Sequence, residues 1–512
     1  MFDATPLMSG YAAVRRFELA AMDPASEQER LLLGLVSRAS STRFGRDHGL
    51  ASIATVEAYQ ARVPVRRYED FHCDYWRADF PRLIDCSWPG LIPYFALSSG
   101  TTAGSSKYIP CSWDTLHANR RGAQEIFVHH LSARPVSRIL GGKCLVLGGS
   151  TALQEESTGV YSGDLSGIEA CELQWWEQPW VLPSRELAVI ADWEEKIDRL
   201  ARLAIEDDIR AISGAPNWLL LFFERLFALK PGSERIARLL PNLELIIHGG
   251  ISMLPYRDRF HALLEGSYAE TRETYVASEG FIAVADRGDG EGLRLFLDGG
   301  VFFEFVPTSE LGQASPTRHW IGNVETGVEY AILVSTCSGL WSYVLGDTVR
   351  FVDLSPPRIL ITGRTKYVLS AVGEHLIAEE IEDAVRVASA ATATAVSEYC
   401  VGCLEPAAPD YMARHLYVVE FRGQIPDPGS IQAFCDRVDA HLQSLNADYA
   451  SNRAKDFRLR KPEIIAVPLG TFVQWLKRRG RLGGQNKVPR IINDADLFQE
   501  LVTIARQSAA PR

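Results

Sequence analysis

Residues 97–107 read LSSGTTAGSSK, a stretch in which two glycines and six hydroxyl side chains precede a lysine. An apolar run, residues 91–97, leads into it, and a segment with helical character, about 114–132, follows. Glycines let the backbone approach an anion closely, so that N–H groups and hydroxyls can point at its oxygens. Lys107 would add a mobile positive charge. The pattern predicts a strand, a phosphate-holding loop and a helix.

The loop taken alone has other interpretations. It is not a Walker A loop, because Gly104 is followed by Ser-Ser-Lys and not by Lys-Ser/Thr. Clusters of Ser, Thr and Gly also form ordinary surface turns. The rest of the chain must decide between these readings.

Size and charge limit the classes of protein to consider. A chain of 512 residues has material for more than one domain, and its 46% apolar and 23% charged residues are typical of a soluble globular protein. The net charge of −11 argues against a nucleic-acid-binding surface. Any bound polyphosphate must therefore be held by local cations or by a metal ion.

The cysteines and apolar segments point to a cytoplasmic protein that does not enter a membrane. Nine cysteines follow no regular spacing, and the one Cys-x-x-Cys, Cys400 to Cys403, has no second pair that would make a zinc site. Such use of cysteine suits a reducing compartment. No signal peptide is evident in residues 1–22. The longest apolar block, Trp218–Leu229, carries two charges and is too short to span a bilayer, so we expect a core helix.

The order of periodic segments predicts an α/β fold with two domains. Short β-type runs dominate to about residue 362, and we expect residues 1–362 to form a large N-terminal domain of sheets and flanking helices. Residues 363–512 have helical spacing around 381–388 and 431–445 with a strand at 415–421 between them. This predicts a smaller α+β C-terminal domain. The segment Thr362-Gly363-Arg364 is interpreted as the linker.

Further polar motifs follow β-type runs. Residues 275–280 read YVASEG, residues 339–347 read GLWSYVLGD, and residues 484–490 read GQNKVPR in a cationic, glycine-rich stretch. Each is weak alone. Together with the loop at 98–107, and in this order, they resemble the signatures of the GH3 family of acyl-acid amido synthetases, which belong to the adenylate-forming superfamily. The likeness extends over nearly the whole chain.

The resemblance implies a two-step reaction. A carboxylic acid would react with ATP to give an acyl-AMP with loss of pyrophosphate, and an amine would then attack the activated carbonyl. The first step concentrates negative charge at the α-phosphate, so the site must supply donors, cations and a metal ion. ATP and Mg²⁺ are therefore the expected cofactors.

The resemblance also assigns expected roles to individual residues. The loop residues Ser98, Ser99 and Thr101, with Thr102 and Lys107 as further candidates, would hold phosphates. Val276, Ala277 and Ser278 would border the adenine and the α-phosphate, and Tyr343 would pack near the base. Glu279 would be a Mg²⁺ ligand, and Asp347 would accept hydrogen bonds from the ribose hydroxyls. Arg364 would lie at the hinge, and Lys487 would be the cation that the mobile small domain brings in for adenylation.

The sequence indicates the type of reaction more clearly than the identity of the substrates. The acid is expected to be small and apolar or aromatic, and the amine to be an amino acid; Arg120, Arg121 and the aromatic segment 175–180 are places to look for the acyl site. Two alternatives stay open: a thioester-forming enzyme of the acyl-CoA synthetase type, and an ATP-binding regulator without turnover. No nucleic-acid or membrane partner is expected, and the sequence does not indicate an oligomeric state.

Overall fold

A computed structural model describes residues 2–98, 107–148, 152–188, 190, 193–232, 235–250, 253, 256–288, 290–311, 313, 315–364, 369, 376–404, 413–453, 459–479 and 488–509. The chain divides into two compact units, Met1–Ile361 and Thr362–Arg512. Both mix helices with sheets, which confirms the predicted α/β class with a larger and a smaller part.

The helices of the first unit lie mostly before and between its strands. They are α1 (Thr5–Ala21), α2 (Pro24–Ala39), α3 (Arg43–Asp47), α4 (Val56–Arg62), α5 (Tyr68–Phe71), α6 (Trp113–Ala133), α7 (Leu165–Cys171), α8 (Arg185–Ala188), α9 (Trp193–Glu206), α10 (Pro216–Leu229), α11 (Ile236–Leu239) and α12 (Arg257–Leu264). Helix α6 begins where the Ser112 hydroxyl accepts the Thr115 amide at 3.1 Å, an N-cap that satisfies one of the free amides of the first turn.

A small sheet carries the glycine-rich stretch. Its described strands run in the order β2-β1-β5-β4 and are β1 (Tyr94–Ser98), β2 (Lys107–Cys111), β4 (Gln154–Ser157) and β5 (Val160–Gly163). Strands β1 and β2 are antiparallel and pair Ser98 with Lys107. The expected order of strand, loop and helix is therefore wrong in one respect, because a second strand lies between the loop and α6.

A second sheet contains twelve described strands in the order β13-β12-β14-β15-β16-β11-β10-β9-β8-β7-β3-β6. These are β3 (Lys143–Val146), β6 (Val181–Leu182), β7 (Ile209–Gly214), β8 (Leu245–Gly249), β9 (Glu270–Ala277), β10 (Gly280–Val284), β11 (Leu293–Leu295), β12 (Val301–Pro307), β13 (His319–Trp320), β14 (Glu329–Thr336), β15 (Tyr343–Leu354) and β16 (Pro357–Arg364). It is parallel from β6 to β9 and antiparallel in the pairs β9–β10, β10–β11, β11–β16, β14–β15, β12–β14 and β12–β13.

The core of the first unit forms where apolar strand faces meet helices. One cluster joins α2, α4 and the aromatic segment 71–95 to strands β12, β14 and β15, with Trp76, Phe302 and Trp341 among its buried rings. A second cluster packs α9 and α10 on the parallel strands. The predicted core helix 218–229 is confirmed as most of α10, whose Trp218 is 3% exposed.

The second unit is a sheet covered by helices on both faces. Its described strands run β19-β18-β17-β20, with β17 (Val396–Leu404), β18 (Ala413–Phe421), β19 (Leu459–Val467) and β20 (Ile491–Ile492). The helices are α13 (Ala378–Thr392), α14 (Pro428–Leu445), α15 (Ala447–Arg453), α16 (Thr471–Arg478) and α17 (Ala495–Ala509). Alternate residues of β18 enter different cores: Tyr417 packs with α13 and α14, and Val418 with α16 and α17.

Two expectations about this part of the chain have different outcomes. The helical spacing at 431–445 is confirmed, because Phe434, Val438 and Leu442 are buried on one face of α14. Residues 362–364, interpreted as the linker, end strand β16, and the division between the two units falls directly before them, after Ile361. Of the helices that the structure describes, none combines the length and apolar character needed to cross a membrane.

Candidate functional site

The motif at 275–280 forms a tight turn between two strands of the large sheet. Strand β9 ends at Ala277, which pairs with Gly280 at the start of β10, so Ser278 and Glu279 make the turn. Gly280 has a φ of +152°, a value that residues other than glycine rarely adopt. A Cβ at this position would lie 3.2 Å from Val301 Cγ2. Glu279 is only 8% exposed. The turn therefore presents a carboxylate from a well-defined position.

The motif at 339–347 forms a turn and the start of β15. Gly339 has a φ of +83°, and a Cβ there would lie 2.5 Å from the Ser87 backbone, so only glycine fits. Ser342, with a φ of +44°, is held by its hydroxyl, which donates to Glu304 Oε2 at 2.7 Å, while the Arg318 guanidinium donates to Ser342 Oγ. Arg318 itself makes a two-pronged pair with the buried Glu304. This buried network fixes the backbone immediately before Tyr343.

A hydrogen bond connects the two motifs. The Tyr275 hydroxyl of β9 donates to Asp347 Oδ2 of β15 at 2.5 Å, and both residues are buried, at 6% and 7% exposed. A second contact runs from the later motif to the earlier one, between Tyr343 and Glu279. Burial raises the pKa of Tyr343 well above its usual value, and the Glu279 carboxylate raises it further by its charge and by accepting a hydrogen bond. Each of the two predicted carboxylates, Glu279 and Asp347, thus has a tyrosine of the other motif as a neighbour, and we call these four residues the carboxylate cluster.

The glycine-rich stretch approaches the same cluster through α5. Lys107 Nζ lies 4.0 Å from Glu69 Oε1 and 5.1 Å from the centre of the Tyr68 ring. The charges of Glu69 and Tyr68 also contribute to raising the pKa of Tyr343, so both α5 residues lie near Lys107 and near Tyr343. The start of β2 therefore lies close to α5, and the predicted phosphate-holding role of the stretch stays a prediction.

Helix α6 is hydrogen bonded to the strand that follows the Glu279 turn. Asn119 Oδ1 accepts the Phe281 amide at 3.0 Å, and Asn119 Nδ2 donates to Glu169 Oε1 at 2.9 Å. Burial raises the pKa of Glu169 to about 7, against the opposing effects of Asn119 and Arg120. Sequence reasoning missed Asn119, Glu169 and the role of the Tyr275 hydroxyl, because each depends on contacts between distant segments.

The other predicted residues have varied positions. Val276 is 40% exposed, and Ala277 and Ser278 are half-buried beside it. Arg364 is the last residue of β16. Ser99, Thr101, Thr102 and Lys487 lie outside the described residues, and their predicted roles are not tested.

Of the residues considered for the acyl site, Arg120 lies against the aromatic segment 175–180, whereas Arg121 is directed elsewhere. Arg120 donates to the Glu172 carbonyl at 3.0 Å and lies 3.7 Å from Glu177. Arg121 instead pairs with Asp298 at 2.7 Å. Trp175 and Trp176 are 77% and 52% exposed, so their rings are surface features of the described chain.

Comparison with protein-family models gives matches along most of the chain. The N-terminal domain model of the GH3 family matches residues 13–160 and 150–268, the central domain model matches 294–364, and the C-terminal domain model matches 379–496. The chain belongs to the GH3 family. The resemblance inferred from the motifs is confirmed.

Similar proteins of known activity belong to the predicted ligase class. The chain is similar to indole-3-acetic acid-amido synthetase GH3.4 of Arabidopsis thaliana, at 23% identity over 94% of this chain and 91% of the relative. Among solved structures, the acyl acid amido synthetase AtGH3.15 in complex with 2,4-DB matches with a TM-score of 0.81 and 18% identity, covering 99% of this chain and 97% of that one. A 2-hydroxyisobutyryl-CoA ligase in the postadenylation state matches with a TM-score of 0.58 and 14% identity, covering 95% and 93%. These structural matches establish the adenylating-enzyme fold.

Proposed function

We propose that this protein is an ATP-dependent acyl-acid amido synthetase. The acid's carboxylate oxygen attacks the α-phosphorus of ATP, pyrophosphate leaves, and an acyl-AMP forms. The nitrogen of an amino acid then attacks the acyl carbon, AMP leaves and the amine loses a proton. The observation that carries the proposal is the pair of contacts between the two motifs, Tyr275 with Asp347 and Tyr343 with Glu279, in a chain of the GH3 family.

The proposed nucleotide site uses both motifs and the glycine-rich loop. Asp347 accepts the ribose hydroxyls, because a carboxylate has two oxygens and can accept several hydrogen bonds. Val276, Ala277 and Ser278 border the adenine and the α-phosphate, and Tyr343 lies near the base. The phosphate-holding residues are Ser98, Ser99, Thr101, Thr102 and Lys107.

The donor set at Glu279 fits Mg²⁺. Magnesium bound with ATP takes one or two protein carboxylates and completes its octahedron with phosphate oxygens and water. A single buried glutamate at a turn meets that need, and within the described part of the chain no cluster of three His, Cys, Asp or Glu residues offers a competing metal cage. Mg²⁺ would neutralise charge on the phosphates, and Glu279 would hold it there.

Two residues of the C-terminal part complete the proposal. Lys487 donates to the negative charge that develops at the α-phosphate, and Arg364, at the end of β16, lies where the C-terminal domain turns during catalysis. The proposed domains are residues 1–362, with the ATP and acid sites, and residues 363–512, which move.

The proposed substrates follow the relatives' chemistry. The names of relatives include indole-3-acetic acid and 2,4-DB, both aromatic acids, which supports a small apolar or aromatic acid here. The amine is proposed to be an amino acid. All nine cysteines are free thiols, which supports the proposed cytoplasmic location.

Pyrophosphate release tests the proposal directly. Purified protein would be incubated with ATP, Mg²⁺ and a panel of carboxylic acids, each with and without mixed amino acids. We expect acid-dependent release that one amino acid or a small group stimulates, with an amide product seen by mass spectrometry. Absence of release across aromatic, aliphatic and hydroxy acids, with ATP still bound, would favour the non-catalytic alternative.

The fold match to a CoA ligase supports one second candidate, thioester formation on the same acyl-AMP. Replacing the amino acids by coenzyme A in the same assay separates the two. Formation of a thioester with no amide in the presence of amino acids would overturn the amido synthetase proposal while leaving adenylation intact.

A further inference from the structure

In each of the two motifs a tyrosine lies four residues before a carboxylate, and hydrogen bonds join the tyrosine of one motif to the carboxylate of the other. Tyr275 lies four residues before Glu279, and Tyr343 lies four residues before Asp347. The Tyr275 hydroxyl donates to Asp347, and the Tyr343 hydroxyl has Glu279 as its hydrogen-bond acceptor, so each bond joins one motif to the other. We propose that Tyr275 and Tyr343 are positioning residues that act across this cluster: Tyr275 orients Asp347 for the ribose, and Tyr343 orients Glu279 for Mg²⁺. This inference rests on the proposed function.

The Tyr275–Asp347 contact has the geometry of an orienting bond. The two strands that carry it, β9 and β15, are separated in the sheet by β10, β11 and β16, so backbone pairing does not set their distance. The hydroxyl donates to Oδ2 at 2.5 Å, and a carboxylate can accept several hydrogen bonds at once. A phenol carries no charge, so it fixes the carboxylate's rotamer without neutralising it. The ribose hydroxyls would then meet a preset acceptor.

Tyr343 is equally well placed to orient Glu279. Its ring is 1% exposed and lies 6.3 Å from the ring of Phe71, so packing fixes where the hydroxyl points. The Glu279 backbone is fixed separately, by the Gly280 turn and by the Asn119 bond to the Phe281 amide. The side-chain rotation of Glu279 depends on its hydrogen bonds, and Tyr343 supplies one of them. The Tyr343 hydroxyl acts on that rotation.

This arrangement predicts two separable defects. Tyr275→Phe keeps the ring and loses the bond to Asp347, so it should reduce discrimination between ribose and deoxyribose nucleotides. Tyr343→Phe should raise the Mg²⁺ concentration needed for ATP binding. A hydrogen bond to a charged group contributes enough for each effect to be about 10-fold. Tyr449→Phe is a matched control, because it removes a tyrosine–aspartate bond of 2.7 Å, to Asp439, elsewhere in the chain.

The first arm measures equilibrium binding of AMP, 2′-deoxy-AMP and 3′-deoxy-AMP by calorimetry, without metal. Wild type and the control should bind AMP more tightly than at least one deoxy analogue. In Tyr275→Phe that preference should shrink about 10-fold, mainly through weaker AMP binding. Equal weakening for all three nucleotides, as a merely structural role predicts, would overturn the inference for Tyr275. Failure of the wild type to bind any of them would contradict the proposed function itself.

The second arm measures ATP binding and pyrophosphate release across Mg²⁺ concentrations. The half-saturating Mg²⁺ concentration should rise about 10-fold in Tyr343→Phe and stay at the wild-type value in Tyr275→Phe and the control. An unchanged Mg²⁺ requirement in Tyr343→Phe, or the same shift in both variants, would overturn the inference for Tyr343. Melting temperatures accompany both arms, and a general loss of stability cannot produce two defects that differ between the two variants.

Discussion

Two buried aspartates, one in each unit, each receive a tyrosine hydroxyl, and Asp439 is also paired with an arginine. Asp347 is 7% exposed and accepts from Tyr275, whereas Asp439 is 6% exposed and accepts from Tyr449 at 2.7 Å. Asp439 also receives the Arg453 guanidinium on both oxygens, at 2.8 Å each. The guanidinium matches the charge of Asp439 and the geometry of its two oxygens.

Pairing with Arg453 indicates that Asp439 stabilises the fold, whereas Asp347 belongs to a motif that is expected to bind a ligand. A buried charge is costly unless it is paired and hydrogen bonded, and Arg453 satisfies both conditions for Asp439. Glu304 follows the same rule with Arg318. The Tyr275 hydroxyl, in contrast, orients Asp347 without adding charge. We therefore expect substitutions at the first kind of site to affect stability, and substitutions at the second to affect nucleotide use.

The largest effect is expected from Arg453→Met. Removing one partner of a buried ion pair leaves the other charge uncompensated, so the free energy of unfolding of the C-terminal unit should fall by about 3–5 kcal/mol. Urea denaturation would measure it. Arg437→Met, at an exposed arginine on α14, is the control and should change little. Loss of less than about 1 kcal/mol in Arg453→Met would show that the pair has no structural role.

Glu279→Gln should show the opposite behaviour. The shape of the side chain is kept and its charge is lost, so acid-dependent pyrophosphate release should slow by about 10²–10³-fold, the usual consequence of losing one group that stabilises transition-state charge. The melting temperature should stay close to that of the wild type. Glu57→Gln, at an exposed position of α4, is the control. Wild-type release by Glu279→Gln at limiting Mg²⁺ would remove Glu279 from the metal site.

Asp347→Asn is expected to have a smaller and more selective effect. The amide keeps one acceptor oxygen but loses the charge, so KM for ATP should rise about 10-fold while kcat at saturating ATP changes little. Steady-state pyrophosphate release at varied ATP would measure both constants. A fall in kcat at constant KM would contradict a role for Asp347 in ground-state ribose binding.

Short motifs, and the family resemblance that they carry, supplied the residues of the candidate site. Glu279 and Asp347 come from short motifs whose glycines are needed at turns, and α10 and α14 follow from apolar spacing. Strand β2 was missed because it is only five residues long and contains Pro110. Proline is tolerated there since β2 is the edge strand of the small sheet, a position that only the strand order reveals.

The contacts that assemble the site could not be predicted in this way. The Tyr275–Asp347 bond joins residues on strands that are not neighbours in the sheet, and the Asn119 bridge joins α6 to the turn after Glu279. Neither depends on a periodic pattern. They follow from the order of strands and from where α6 packs, which local spacing does not specify.

The smallest effect we predict is a change of stability with pH, and it comes from a buried histidine that is paired with two glutamates. On α6, His130 Nδ1 lies 2.8 Å from Glu270 Oε1, with Glu244 at 3.8 Å from Nε2. Burial alone would lower the pKa of His130, but hydrogen bonds to Glu244 and Glu270 outweigh it and raise the pKa above 6.5. The pKa of Glu270 is lowered, because His130 and Arg272 together outweigh its burial.

The sign of the pH dependence follows from these directions. Stability from His130 is fully present below its unfolded pKa of 6.5 and is lost as the pH rises through the raised folded value. Stability from Glu270 is present above its unfolded pKa of 4.5 and is lost as the pH falls through the lowered folded value. The free energy of unfolding should therefore decline on the alkaline side in wild type and less so in His130→Gln, measured by urea denaturation from about pH 5.5 to about pH 9. His117→Gln, exposed on the same helix, should keep the wild-type slope. Parallel curves for wild type and His130→Gln would mean that this histidine is neutral when folded. A difference confined to the alkaline side would show that a histidine paired with carboxylates makes stability depend on pH. The Arg453–Asp439 pair does not do so in this range, because arginine stays protonated.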